Sequence, residues 1–457
     1  MKAKFLGRTI LPLVAAGLLV VACNGTTTNN PGPATAILTM RLNANGTADT
    51  TFGGGAGFVT TDINSALYEF ALSVAIQPAD NKILAGGSNS LAGQGALALV
   101  RYNPDGTLDT TGFGTAGTGG VVITPVPAGW NGATASAIAV QPADNKIVVA
   151  ALLFNATAGT TGIALYRYGT DGTLDPGFGA GGVAPVQTIG PGLAGDTCAM
   201  ALQGTNIVVA GGSSNGNVVL WRFDATGALD PTFGPGGKTT TAVGPQATSP
   251  ALAFQSATAP VPNAIIVVTG NGADQVVLRY TANGAQDLTL GGAPSGIVVT
   301  HTSTITSGVG FANAVAVQSD DKIVVVGHAN VNFTLNTSDI SLVRYNADGT
   351  LDGTTFGATN PVPGIVTTDL NGGFDNAFSV ALQSPAATNT AILVAGNTGS
   401  GGSSQTLVLR YNTDGTLDGT FGIGGIVVAP IFGPSTVASG NAVVLQSTLG
   451  IVVAGYD

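Results

Sequence analysis

The sequence predicts an all-β fold, a seven-bladed β-propeller of four-stranded blades whose last blade is closed by the N-terminal strand. Three observations predict it: a unit repeated seven times, a composition poor in helix formers, and two incomplete terminal units that together make one whole.

The repeat is carried by an Arg, a Gly five residues on and an Asp eight residues on. The first four copies are Arg41/Gly46/Asp49, Arg101/Gly106/Asp109, Arg167/Gly172/Asp175 and Arg222/Gly227/Asp230; Arg279/Gly284/Asp287, Arg344/Gly349/Asp352 and Arg410/Gly415/Asp418 complete the set. Successive Arg positions lie 60, 66, 55, 57, 65 and 66 residues apart. The unit is therefore one supersecondary block of variable loop length. After residue 34 every Arg belongs to this motif, an allocation that scattering for solubility would not produce.

Each unit has the same strand grammar. After the Asp comes a Gly-rich turn holding an aromatic (Phe52, Phe113, Phe178, Phe233, Phe356 or Phe421, with Leu290 the exception), then an apolar run such as 120–124. A second run ends at a recurring Gln (Gln77, Gln141, Gln203, Gln255, Gln318, Gln383, Gln446), a short turn leads to a third run, and a fourth leads into the next Arg. Runs of five to seven Val, Ile, Leu and Ala bounded by Gly, Asn and Asp are strand signals, and Asn-Gly or Asp-Gly after the fourth run is a hairpin signal. Composition agrees: 69 Gly, 23 Pro and a single Glu, Glu69, leave few residues that favour helix.

The ends carry the closure argument. The last unit stops at 450–457, a third run with no fourth, while after the N-terminal segment comes 36–42, an orphan fourth run preceding the first motif. Joined, they complete one unit and leave no sheet edge. A β solenoid or a string of small β domains would share the short apolar runs, but an open solenoid needs polar caps, and none is visible.

The N-terminal segment 1–22 reads as a lipoprotein signal peptide. Lys2, Lys4 and Arg8 form the positive region and 10–21 an apolar stretch too short for a comfortable membrane span. Val20-Val21-Ala22-Cys23 resembles a bacterial lipobox, which implies lipidation of Cys23. Residues 23–34 are then the acylated Cys and a polar tether, and 35–457 the propeller. Asn24 after the Cys resembles the outer-membrane sorting pattern, so the expected location is the bacterial cell envelope, lipid-anchored at the outer membrane or cell surface. Cys198, the other cysteine, reads as a small apolar strand residue in 197–203.

The unit R-Y-N-x-D-G-T-L-D-x-x-F-G, followed by G-G-V-V, A-V-x-Q-x-D-x-K-I-V-V-A-G and a return to L-x-R-Y, resembles the bacterial delta-60 repeat. Residues 101–114, 344–357 and 410–422 are the closest copies, and the resemblance spans 36–457. It implies a secreted or surface-anchored propeller and brings no catalytic residues with it. The departures are Thr226-Gly227 in place of Asp-Gly in the fourth unit and Leu290 in the fifth.

The motif Arg and Asp, eight apart across a tight turn, read as a structural ion pair that fixes register; the competing reading is a ring of seven arginines offered to an anion. The turn, as in Asn103-Pro104-Asp105-Gly106, has oxygen-rich spacing reminiscent of calcium loops but lacks the closing bidentate carboxylate. Its middle position varies (Asn45, Asp105, Asp171, Thr226, Asn283, Asp348, Asp414), which fits a turn needing positive φ better than a ligand needing charge. No metal or cofactor is therefore expected, calcium being the one to consider. His301 and His328 fall in one unit and could form a metal pair or a base with Asp320 or Asp321; as residues near strand ends they read as surface loop residues. Trp130, in the loop 127–133, is the candidate ligand-binding residue, as a sugar-stacking platform, and Trp221 reads as core.

A formal charge of -10, built from only 8% charged residues with no basic run, excludes a nucleic-acid surface. No catalytic constellation is legible: the remaining carboxylates (Asp62, Asp196, Asp274, Asp339 and Asp369 among them) fall about one per unit. The expectation is a monomeric, non-enzymatic envelope scaffold that meets a protein or glycan partner through the loops 152–161, 330–337 and 399–404. The alternatives are a purely structural surface module and a glycan-active or oxidising propeller enzyme.

Overall fold

The computed structural model describes residues 35–63, 69–91, 94–114, 119–191, 197–292, 294–303, 309–332, 337–370, 372–383, 391–400, 403–429, 437–446 and 450–457. The signal segment, Cys23 and the tether lie outside them. Twenty-eight strands among the described residues form seven four-stranded antiparallel meanders. Blade 1, for example, consists of Glu69–Ile76, Ile83–Leu91, Gln94–Tyr102 and Val121–Thr124, laid side by side in chain order. The first strands of blades 2 to 6 are Gly132–Val140, Ala199–Gln203, Thr248–Phe254, Val309–Val317 and Phe374–Gln383.

Blade 7 closes the ring. Its inner strands, Ser439–Gln446 and Gly450–Tyr456, come from the C-terminus, and its outer strands, Ile37–Leu42 and Phe58–Thr61, from the N-terminus. The join is in full register from Ile37 opposite Tyr456 to Leu42 opposite Ile451, and Ala36 and Asp457 exchange main-chain hydrogen bonds. The N-terminal strand closes the last blade as expected, and a second N-terminal strand, Phe58–Thr61, completes it. The motif hairpin after Arg41 turns back onto the same sheet, so the sequence repeat is offset by one strand from the blade.

The apolar runs show little alternation because the middle strands are covered on both faces by neighbouring blades; Ile147–Asn155 and Gln275–Tyr280 are buried along nearly their whole length. The core is accordingly seven clusters, one between each pair of adjacent blades. Trp221 and Cys198 both lie in the cluster between blades 2 and 3. At about 25 cal/mol per Å2 such burial is what holds a ring without disulfides.

Chain direction divides the propeller into two faces. The turns from first to second strand and the motif turns from third to fourth lie on one, called the motif face. The hairpins from second to third strand and the passages to the next blade lie on the other, the loop face. Residues of all seven first strands or their lead-ins line a central channel.

Candidate functional site

On the motif face the motif Arg of every blade pairs with its own Asp at 2.6 to 2.8 Å. The same guanidinium reaches the next blade, where Nη1 donates to a main-chain carbonyl in the following motif turn: Arg167 to Ala225 at 2.6 Å, Arg222 to Ala282 at 2.7 Å, Arg279 to Ala347 at 2.6 Å and Arg344 to Thr413 at 2.5 Å. Arg41, Arg101 and Arg410 make the equivalent bonds to Pro104, Thr170 and Ala44. Lys could not replace Arg here, since one planar group must serve partners in two blades.

Two further contacts repeat at each blade junction. The residue after the motif aromatic donates its N–H to the next turn, as Gly53 to Asp105 O at 2.8 Å and Gly422 to Asn45 O at 2.8 Å. The ring itself lies between its own Arg, 4.4 to 4.9 Å from the guanidinium carbon in six blades, and the motif Gly of the next blade. A Cβ on Gly106 would sit 2.9 Å from Phe52, so the motif Gly is required by close approach as well as by its φ of 85 to 87° in Gly46 and Gly106. The positive φ falls on the Gly alone. The variable middle position, expected to need it, does not adopt it; its carbonyl instead receives the neighbouring blade's N–H.

These contacts engage the motif oxygens. Asp105 Oδ1 accepts from Thr107 N–H at 2.9 Å and Thr107 Oγ1 at 2.7 Å. Asp109 Oδ2 accepts from Arg101 and from Lys82 at 2.9 Å, and Oδ1 from Gly112 N–H. Burial would raise the Asp352 carboxyl, but Lys322, Thr355 and Arg344 outweigh it and pull it down to about 2. Among the described residues no three acidic, His or Cys side chains converge as a metal group.

The loop face has the opposite character. Of the 14 Lys and Arg residues, Lys2, Lys4 and Arg8 precede the propeller and the other eleven lie at the motif end of their strands or in motif-face turns. Asp62, Glu69, Asp274, Asp339, Asp369, Asp375 and Asp457 lie on the loop face with no Lys or Arg among them. The loop 152–161 and the described ends of 330–337 and 399–404 also fall there.

Two of these acids are buried at the head of a first strand. Glu69 accepts from Ile63 N–H and Asn89 Nδ2, both at 2.7 Å, and burial, with Asp62 nearby, pushes its carboxyl up to about 7. Asp375 accepts from Leu370 N–H at 2.6 Å; burial, reinforced by Asp369 and Asp339, pushes it up to about 6. Asp339, also raised by burial, is bonded by Asn330 Nδ2, and Asp369 Oδ1 accepts Gly372 N–H at 2.7 Å. The structure thus gathers three carboxylates at the junction of blades 5 and 6, where Ser338 and Phe374 form an extra bridge between the sheets. Sequence reading missed the pinning role of Glu69 and Asp375. The available signal was an acid at the start of an otherwise apolar run.

The histidines separate. His328 is a correction to the expected surface position: it is buried within Ile323–Asn332, its ring 5.1 Å from Phe311 and its Nδ1 3.2 Å from Asn313 Nδ2, and burial pushes the imidazole down to about 4. His301 is exposed and pairs through Nδ1 with Asp274 at 2.5 Å, not with Asp320 or Asp321, which are on the motif face. Trp130 is half-buried against the cluster between blades 1 and 2, over Gly162 of blade 2, so its ring is partly spent on packing.

A closed ring of seven four-stranded meanders around an axial channel defines a β-propeller, and the repeated motif makes this chain a β-propeller repeat protein. Residues 19–52, 79–111, 143–178, 206–233, 318–356 and 392–421 match a family model described as "Domain of unknown function (DUF5122) beta-propeller". The unmatched motif is the one beginning at Arg279, whose unit has Leu290 in place of the aromatic. A search of curated proteins found no match. Similar solved structures include Sqt1 from Chaetomium thermophilum (11% identity, 84% of this chain and 93% of that one, TM-score 0.43). They also include the NanB sialidase from Streptococcus pneumoniae (11%, 85% and 68%, 0.38) and Drosophila Semaphorin 1b (9%, 84% and 86%, 0.36).

Proposed function

We propose that the protein is a monomeric, non-enzymatic binding scaffold of the bacterial cell envelope, of the delta-60 repeat kind, anchored through a lipid on Cys23 and needing no cofactor. The observation that carries this reading is the division of labour between the faces. The motif face spends its charges on its own blade junctions, whereas the loop face carries the variable loops and seven acids with no Lys or Arg among them, of which Glu69 and Asp375 are buried with raised carboxyls and Asp274 pairs with His301. Variable loops on a rigid ring are the usual seat of recognition, and a surface with acids and no Lys or Arg favours basic or uncharged partners and repels anionic ones.

The test compares binding to envelopes of cells lacking the protein. Asp62→Asn, Asp274→Asn and Asp369→Asn combined should lower binding at least severalfold, while Asp80→Asn, Asp144→Asn and Asp320→Asn on the motif face should not. Equal binding by both sets would favour a purely structural module. Incorporation of labelled fatty acid, abolished by Cys23→Ala, tests the anchor.

One observation favours a second reading. Asp339, Asp369 and Asp375 gather at one junction with two of their carboxyls raised, the environment in which acid-base chemistry on glycans is performed. Hydrolysis of envelope glycans that disappears in Asp339→Asn would establish it.

A further inference from the structure

The axial channel holds a cavity of about 290 Å3, and its walls differ from the rest of the ring in one respect. The motif face repeats the same contacts seven times. The cavity is lined instead by residues that change from blade to blade, and they arrive by a common device. Six of the seven first strands carry a register shift at the same height, as between Ala71 and Ser73 or Ala377 and Ser379, and the extra residue of each lines the cavity. A bulge re-aims one side chain and breaks the ladder locally. Here it supplies Leu72 and Phe378 on some sides and Ser136, Asn313 and Asn441 on others. Phe378 of blade 6 stands between Asn313 of blade 5 and Asn441 of blade 7, so a ligand on this side of the wall meets apolar and amide groups next to each other.

The chemistry of the lining narrows the ligand. Among the described residues no Asp, Glu, Lys, Arg or His contributes to the wall, and burial pushes the Cys198 thiol there up to about 12, so the described wall carries no charge. An ion entering it would lose its hydration with no counter-charge in return. Tyr456, at the loop-face end of its strand, places the cavity toward the acidic face, which repels anions at the approach. In volume it is about twice the roughly 150 Å3 apolar cavity that holds benzene. We infer that this channel cavity binds a small uncharged ring compound in apolar contact with Leu72 and Phe378, whose hydroxyl or N–H group donates to the side-chain oxygen of Asn313, the Nδ2 of that amide being bonded to Ala377 O and His328.

Calorimetric titration of the full chain with phenol, indole and cyclohexanol, beside benzoate and benzylamine, tests the inference. Neutral probes should bind with a dissociation constant of about 1 mM or tighter, and the two ions at least tenfold more weakly. Leu72→Trp fills the cavity and should abolish binding with an unchanged melting temperature. Phe378→Ala enlarges it and should improve binding of 2-naphthol relative to phenol at least tenfold, which decides the matter if the tryptophan variant does not fold. Absence of neutral-probe binding up to solubility, equal binding of the ions, or binding indifferent to both substitutions would overturn the inference. None of these outcomes depends on whether the loop face meets an envelope partner.

Discussion

Arg410 donates through Nη1 to the main-chain carbonyl of Ala44, 366 residues earlier in the chain, a bond that ties blade 6 to blade 7, the blade in which the two ends of the chain pair. It is the seventh copy of a contact made between every other pair of neighbours, so the junction of blade 6 with the composite blade 7 is chemically the same as the others. Deleting residues 35–42 removes Arg41, the partner strand of Gly450–Tyr456 and six buried residues together. The expected result is loss of the cooperative thermal transition, since the deficit rivals the 5 to 15 kcal/mol or so that stabilise a domain. A truncated chain that still melts as a single transition near the parent temperature would show that the ring does not depend on its closing strands.

The motif arginines should not be equally costly to lose. Arg279 is the sole cation paired with Asp287, whereas Asp109 keeps Lys82 when Arg101 is removed. Stranding a buried carboxylate costs about 3 to 5 kcal/mol. Arg279→Ala should therefore approach that figure, and Arg101→Ala should cost less, in urea denaturation followed by far-ultraviolet circular dichroism. Equal losses would mean that the guanidinium's carbonyl bond to the next blade, and not the ion pair, dominates.

The fifth motif unit offers a gain. Leu290 occupies the place of the six aromatics, buried against Gly349, and leaves Arg279 without a ring beneath it. Leu290→Phe keeps the spacing from Asp287 that Phe52 has from Asp49 and should add about 0.5 to 1 kcal/mol of cation–π stabilisation. A rise in the urea midpoint checks it; a fall would indicate that the pocket over Gly349 has adapted to the smaller side chain.

How much of this was legible in the sequence depends on what each residue answers to. Arg and Asp eight apart, Gly at the turn and the aromatic three or four residues beyond the Asp are local necessities of one hairpin, so they recur at nearly fixed spacing and declare themselves. Blade boundaries do not, because the repeat is read from Arg to Arg while the sheet is cut one strand later; hence the second N-terminal strand was missed. His328 was misplaced because its unit's second strand runs on to Asn332, past the Gly that suggested an end. The gathering of Asp339, Asp369 and Asp375 spans two blades and a loop, and no spacing encodes it. The channel bulges are subtler still, since one extra residue in an apolar run leaves the run apolar.

One long-range pairing was readable in retrospect. Tyr102, Tyr168, Tyr280, Tyr345 and Tyr411 each share a hydrogen bond at 2.6 to 2.8 Å with a Thr on the outer strand of the preceding blade (Thr61, Thr124, Thr241, Thr300 and Thr368). Where the Tyr position is Phe223 or Leu42, the Thr position is Val186 or Ala429. A buried hydroxyl is tolerated only with its partner. Tyr345→Phe should cost about 1 to 2 kcal/mol by leaving Thr300 unpaired, and adding Thr300→Val should return most of it, a coupling of about 1 kcal/mol in a double-mutant cycle. Additive losses would mean that the two hydroxyls act independently.

Stability should peak on the acid side of neutrality. Glu69 begins from an ordinary value of 4.5 and is held up to about 7 in the folded protein, and Asp375 is moved from 3.8 to about 6. Between each pair of values the folded chain keeps a proton that the unfolded chain has released, so stability falls as pH rises from about 4 to 7 and levels off above. The motif carboxyls act in the opposite sense. Asp49, Asp109 and Asp352 among them are held below 3.8, where hydrogen bonds and the paired cations outweigh burial, and the stability they confer above that pH is lost as it falls further. The melting temperature should therefore be highest near pH 4 to 5. Glu69→Gln with Asp375→Asn should flatten the decline toward pH 7 and leave the acid limb intact. A parent profile that is flat from pH 4 to 7 would mean that both carboxyls ionise in place, with water reaching them past Asp62 and Asp369.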